Sequence, residues 1–140
     1  MKPRLILLAI MILLSLLWGF SAGKYRNQPL NNELIKSGIT IVDIRTESEW
    51  RETGVVPDSV LLTFFGPDRS YDLEGFVAEL NRYVEPQQKL AILCRSGNRS
   101  AKVATLLAES GFSSIINLSG GIRAASQNGV PLVPYQIKER

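Results

Sequence analysis

The chain holds one cysteine, Cys94, and it closes a short apolar run, Leu90-Ala91-Ile92-Leu93. A polar loop follows at once: Arg95, Ser96, Gly97, Asn98, Arg99 and Ser100. A free cysteine, with a pKa of ~8.5, is only ~3% thiolate at pH 7. Helix N-termini and nearby cations lower such values, and a pKa of ~6.5 would make the group about three-quarters thiolate. The loop supplies what that shift needs: backbone N–H groups, the start of a helix, and the guanidinium groups of Arg95 and Arg99. The same array binds anions. A nucleophile and an anion cradle are thus built from one turn of chain. Other routes are closed. The chain has no histidine, which excludes Cys–His and Ser–His–Asp catalysis. With a single cysteine and no histidine, no metal site is expected, and no cofactor is called for.

The elements around the loop suit this purpose. Residues 90–93 read as a strand buried on both faces. Val103, Leu106, Leu107 and Ser110 fall on one helical stripe, closing at Gly111 with Phe112 folded back in a Schellman motif. Cys94 then sits at the carboxyl edge of a sheet, where ligands bind in open α/β folds. Upstream, residues 31–38 predict a helix with an asparagine cap and Gly38 as its stop. Residues 39–44 predict a strand. Thr46 and Glu49 form a capping box for a short helix ending near Gly54. Residues 60–65 predict another strand. Asp72 caps a helix with Phe76, Val77, Leu80, Tyr83 and Val84 on its buried stripe, ended by Pro86. Residues 114–118 form the last strand and 122–127 the last helix. Strands alternating with helices predict an α/β fold, a parallel sheet of about five strands covered on both faces.

The loop Cys-Arg-Ser-Gly-Asn-Arg-Ser, after its apolar strand, resembles the active-site loop of the rhodanese-like sulfurtransferases. The resemblance spans roughly residues 29–133. Asp43-Ile44-Arg45 with Glu49-Trp50 is similar to an early family block, and Asn117-Leu118-Ser119-Gly120-Gly121-Ile122 to a late one. Two departures stand out: Val55 replaces a usual histidine, and Ala125-Ser126 a usual tryptophan. The likeness implies a three-layer α/β/α fold and a sulfane sulfur carried as a persulfide on Cys94. It implies a small anionic donor such as thiosulfate, and a thiol, cyanide or a protein as acceptor. Residues 95–100 would bind the donor, with Asp43 and Arg45 bracing the loop; the alternative for Asp43 is an ordinary strand-end turn. Trp50 and Phe65 read as core. Related cysteine phosphatases place five residues between cysteine and arginine; here there are four, which favours sulfur transfer over a phosphatase or arsenate reductase. A tethered persulfide carrier or docking module is the non-enzymatic alternative.

Length and composition complete the reading. The 140 residues, 45% hydrophobic, allow one domain with a real core. Leu5 to Phe20 is almost unbrokenly apolar, behind Lys2 and Arg4. Residues 1–23 are therefore expected to be a signal peptide or a single membrane anchor, with the anchor favoured. Residues 24–30 read as a tether and 31–140 as the domain. The basic N-terminus favours an inner-membrane anchor with the domain facing the periplasm, or export. Of the 16 basic residues, 14 remain without Lys2 and Arg4, against 13 acidic ones. That near-balance, with no basic run, excludes a nucleic-acid partner.

Overall fold

The structure is a computed structural model describing residues 24–137. In chain order its elements are β1 (Arg26–Pro29), α1 (Asn32–Lys36), β2 (Thr40–Asp43), α2 (Glu47–Thr53), β3 (Val60–Leu61), α3 (Leu73–Leu80), β4 (Leu90–Leu93), α4 (Asn98–Glu109), β5 (Ile115–Ser119) and α5 (Gly121–Gln127). The strands form one sheet in the order β1-β5-β4-β2-β3, every neighbouring pair parallel. The expected signal peptide or anchor, with its hydrophobic helix and membrane contact through residues 5–20, lies outside the described residues. Among the described residues no helix is long and apolar enough to cross a membrane.

Strand alternation builds the two cores. Side chains two apart share a face. Leu90, Ile92 and Cys94 accordingly join Val42, Ile44 and Ile115 in one cluster, with Phe76 and Leu80 of α3 and Val103, Ala104 and Leu107 of α4. Ala91 and Leu93 join Ile41, Ile116 and Leu118 in the other, with Leu34 of α1 and Ile122 and Ala125 of α5. Helices therefore cover both faces, as a parallel sheet requires. The same parity decides the direction of the thiol: Cys94 points toward α4.

The local signals formed as expected at most helix ends. Asn31 accepts from the backbone N–H of Leu34 at 2.8 Å, and Asp72 from that of Gly75 at 3.0 Å. The Thr46–Glu49 capping box is complete. After α4, Phe112 N–H bonds to Leu107 O at 3.0 Å and Gly111 N–H to Ala108 O at 3.2 Å, the paired bonds of a Schellman motif.

Four expectations are corrected. Residues 26–29, assigned to a tether, form an edge strand, β1, paired with β5 from Arg26↔Ile116 to Pro29↔Ser119. An edge strand with mostly exposed side chains shows no apolar alternation, so the sequence carried no signal there. The third strand pairs only over Val60 and Leu61; Thr63 then turns its hydroxyl onto Arg45 O at 2.7 Å. Tyr83 is exposed, because α3 ends at Leu80 and the turn beyond it breaks the helical period. On α4 the buried stripe runs through Ser100, Val103, Ala104, Leu107 and Ala108, with Ser110 exposed. Small residues let the helix approach the sheet closely, which turns this face inward.

Candidate active site

Two helix N-termini, neither with a side-chain cap, meet at the loop after β4. The first N–H groups of a helix have no partner within it. At α4 the partner is sulfur: Cys94 Sγ accepts from Gly97 N–H at 3.1 Å and from Ser100 N–H at 3.4 Å. At α5 the partners are loop carbonyls: Ile122 N–H bonds to Cys94 O at 2.9 Å and Arg123 N–H to Arg95 O at 3.3 Å. The loop is therefore held from both sides by helix starts, and a thiolate at Cys94 would meet two backbone donors and a helix dipole.

Glycine is required at two of these positions. Gly97 has φ of +96°, and a Cβ there would lie 2.9 Å from Gly120 N. Gly121 has φ of +57°, and its Cβ would meet Cys94 O and Arg95 C at 2.5 Å. Both conformations favour glycine. The second contact is also what lets α5 reach the loop.

Cys94 is 1% exposed and Ser100 fully buried. Ser100 Oγ lies 3.2 Å from Cys94 Sγ and donates to Asn117 Oδ1 at 2.6 Å. Asn117 Nδ2 donates to Gly97 O at 3.2 Å and to Asn27 Oδ1 at 2.9 Å. Asn117 and Asn27 are register partners on β5 and β1, so the sheet itself aligns this relay.

Beside the loop opens a cleft of about 600 Å³, lined among others by Phe65, Arg69, Arg95, Asn98, Arg99 and Lys102. Arg95, Asn98 and Ser96 are exposed, and Ser96 is not part of the lining. Arg99 does not stand free for an external anion. Its Nη2 bonds to Glu49 Oε1 at 2.6 Å and its Nη1 to Glu49 Oε2 at 3.0 Å. Burial opposes ionisation of Glu49, but the hydrogen bonds from Arg99 and Thr46 and the Arg99 charge outweigh it. They hold the carboxyl at about 2, down from 4.5. The same hydrogen bond raises Arg99 above its ordinary range, against partial burial. The free cations of the cleft are Arg69, Arg95 and Lys102, which form no salt bridge among the described residues. Lys102 Nζ stands 4.9 Å from the Tyr71 ring centroid and 5.5 Å from that of Phe65.

The expected brace acts elsewhere than foreseen. Asp43 and Arg45 are buried and paired, Nη2 to Oδ2 at 2.7 Å. Arg45 also reaches Thr53 Oγ1 at 2.7 Å, Gly54 O at 3.0 Å and Glu49 O at 3.4 Å. Neither side chain hydrogen-bonds to residues 94–100. Together they clamp α2 to the end of β2, and α2 carries Glu49 to Arg99. Trp50 is core, its ring tilted against that of Tyr135 with centroids 5.5 Å apart, and Phe65 packs against the core while also lining the cleft.

Residues to which the sequence assigned no role in the site thus include Glu49, Arg69, Lys102, Asn117 and Asn27. For Glu49 the signals were its place in the early family block and its capping box, which it serves with the same Oε2 that bonds to Arg99. For Asn117 it was its place at the head of the late family block; an amide within the apolar run Ile115-Ile116-Asn117-Leu118 is a second signal. Arg69 and Lys102 carried no signal.

Comparison with known proteins agrees with this geometry. The family model of the rhodanese-like domain matches residues 27–128. A sulfurtransferase of Allochromatium vinosum is 31% identical over 96 residues, covering 68% of this chain and 78% of that one. Among solved structures, a rhodanese-like domain protein from Staphylococcus aureus superposes with a TM-score of 0.55 at 25% identity, covering 79% of this chain and 98% of that one. Rv0390 from M. tuberculosis gives 0.57 at 27% identity, covering 70% and 80%. The chain belongs to the rhodanese-like domain family.

Proposed function

We propose that this protein is a sulfurtransferase that carries sulfane sulfur on Cys94. The observation that carries the reading is the Cys94 sulfur accepting the N–H groups of Gly97 and Ser100 at the start of α4. The Cys94 thiolate attacks the outer sulfur of a thiosulfate-type donor. A new S–S bond forms, the old one breaks, and sulfite leaves with the bonding pair. The resulting persulfide anion then gives its terminal sulfur to a thiolate or cyanide, which regenerates the Cys94 thiolate. Loop N–H groups stabilise the charge on sulfur, while Arg69, Arg95 and Lys102 draw anionic donors into the cleft. Glu49, the one carboxylate of the cleft lining, is kept ionised by Arg99 and supplies no acid for phosphate-ester cleavage.

The cover over Cys94 favours one second reading, a carrier that keeps its persulfide shielded until a partner protein takes the sulfur. Under either reading, residues 5–20 tether the domain to the inner membrane, facing the periplasm; a reporter enzyme fused to the C-terminus tests this. The main test is mass spectrometry of the protein after incubation with thiosulfate. A gain of one sulfur atom, lost in Cys94→Ser, is expected; no gain, or a gain that survives the substitution, refutes the reading. Rapid thiocyanate formation from cyanide separates the enzyme from the carrier.

A further inference from the structure

We propose that Asn117 is a positioning residue that sets the direction of the Ser100 hydroxyl and, through it, how readily Cys94 ionises. The inference rests on the reading of Cys94 as nucleophile. A carbonyl oxygen can only accept hydrogen bonds, so the Asn117 atom 3.2 Å from Gly97 O is the amide nitrogen. The amide oxygen therefore faces Ser100 Oγ at 2.6 Å and takes its single proton. Ser100 is left with only lone pairs to turn toward Cys94 Sγ, 3.2 Å away.

The sulfur consequently has two backbone donors and one enforced acceptor. The donors favour the thiolate, whereas the acceptor favours the thiol, whose S–H it can receive. Ser100 can donate to the thiolate only by giving up its bond to Asn117. Asn117 is buried and Ser100 fully so, so neither group trades this bond for one to bulk solvent. Asn27, across the register from Asn117, accepts the second proton of its amide nitrogen. The edge strand thereby holds the amide in place. Charged groups on the surrounding elements are Arg95 of the loop, Arg99 and Lys102 of α4, Glu49 of α2, Asp43 at the end of β2 with Arg45 just beyond it, and Arg123 of α5. None hydrogen-bonds to the sulfur among the described residues, and none is altered by the substitutions below.

The test is the ultraviolet absorbance of the thiolate against pH in the full chain, with Cys94→Ser as the blank for tyrosine. Because Cys94 is the sole cysteine, the signal has one source. Asn117→Leu frees the Ser100 hydroxyl to donate, so the titration midpoint falls by about one pH unit. In a Ser100→Ala background the same substitution shifts it by less than about a third of that. Asn117→Val, with a side chain that strands favour, replaces the leucine should that variant fail to fold. An unchanged or raised midpoint, or an equal fall without Ser100, overturns the inference. The measurement needs no sulfur donor, so failure of thiosulfate loading and failure of this relay are read separately.

Discussion

Replacing Glu49 with glutamine tests whether the Arg99 pair holds the site together. The two side chains meet through bonds of 2.6 and 3.0 Å at 34% exposure for Arg99 and 17% for Glu49. The Glu49 carboxyl lies at about 2 instead of 4.5. Taken at face value that difference equals about 3 kcal/mol of folding stability at neutral pH. Solvent access to Arg99 screens the pair, and about 1–2 kcal/mol is the expected effect. The sign follows from the direction of the shift. A depressed carboxyl stabilises the fold above its ordinary value of 4.5 and loses that contribution as pH falls toward 2. Urea unfolding of wild type and Glu49→Gln is therefore expected to differ by about 1–2 kcal/mol at pH 7, with less than about half of that gap left at pH 3. A gap that stays constant between those two pH values, or none at pH 7, would refute the argument.

Three further outcomes follow from the geometry. Asp43→Ala leaves Arg45 charged and buried without its partner and is expected to cost about 3–5 kcal/mol in urea unfolding; a loss below about 1 kcal/mol contradicts the clamp. Gly121→Ala sets a Cβ against Cys94 O and Arg95 C and strains a positive φ. It should displace the loop and cut sulfur loading at least about tenfold, a loss of about 1.4 kcal/mol, with the fold intact by circular dichroism; full loading argues against the role of α5. Arg69→Ser and Lys102→Ser each remove a free cation of the cleft. Each should raise KM for thiosulfate about two- to fivefold with kcat unchanged, a difference that added salt erases; an unaltered KM at low salt excludes steering by that residue.

Local interactions were legible in the chain because they act over a few residues. The Thr46–Glu49 box, the Gly111–Phe112 closure and the two-residue alternation of Leu90, Ile92 and Cys94 each depend on neighbours close in sequence. From these alone came the α/β class and the place of Cys94 at a strand-to-helix junction. The edge strand at residues 26–29 stayed hidden because an exposed edge needs no apolar pattern, and its partner β5 lies far along the chain.

Sequence alone determined which atoms could react: one thiol, a loop of N–H groups and two arginines, with no histidine to assist. Tertiary structure decided which of those groups are free. Arg99 is taken by Glu49, 50 positions away, and Asp43 by Arg45. Asn117 and Asn27, 90 positions apart, complete the contacts behind the sulfur. Such partnerships depend on which strands lie side by side, and the order β1-β5-β4-β2-β3 is set by burying both faces of the sheet, a property of the whole chain that no short segment encodes.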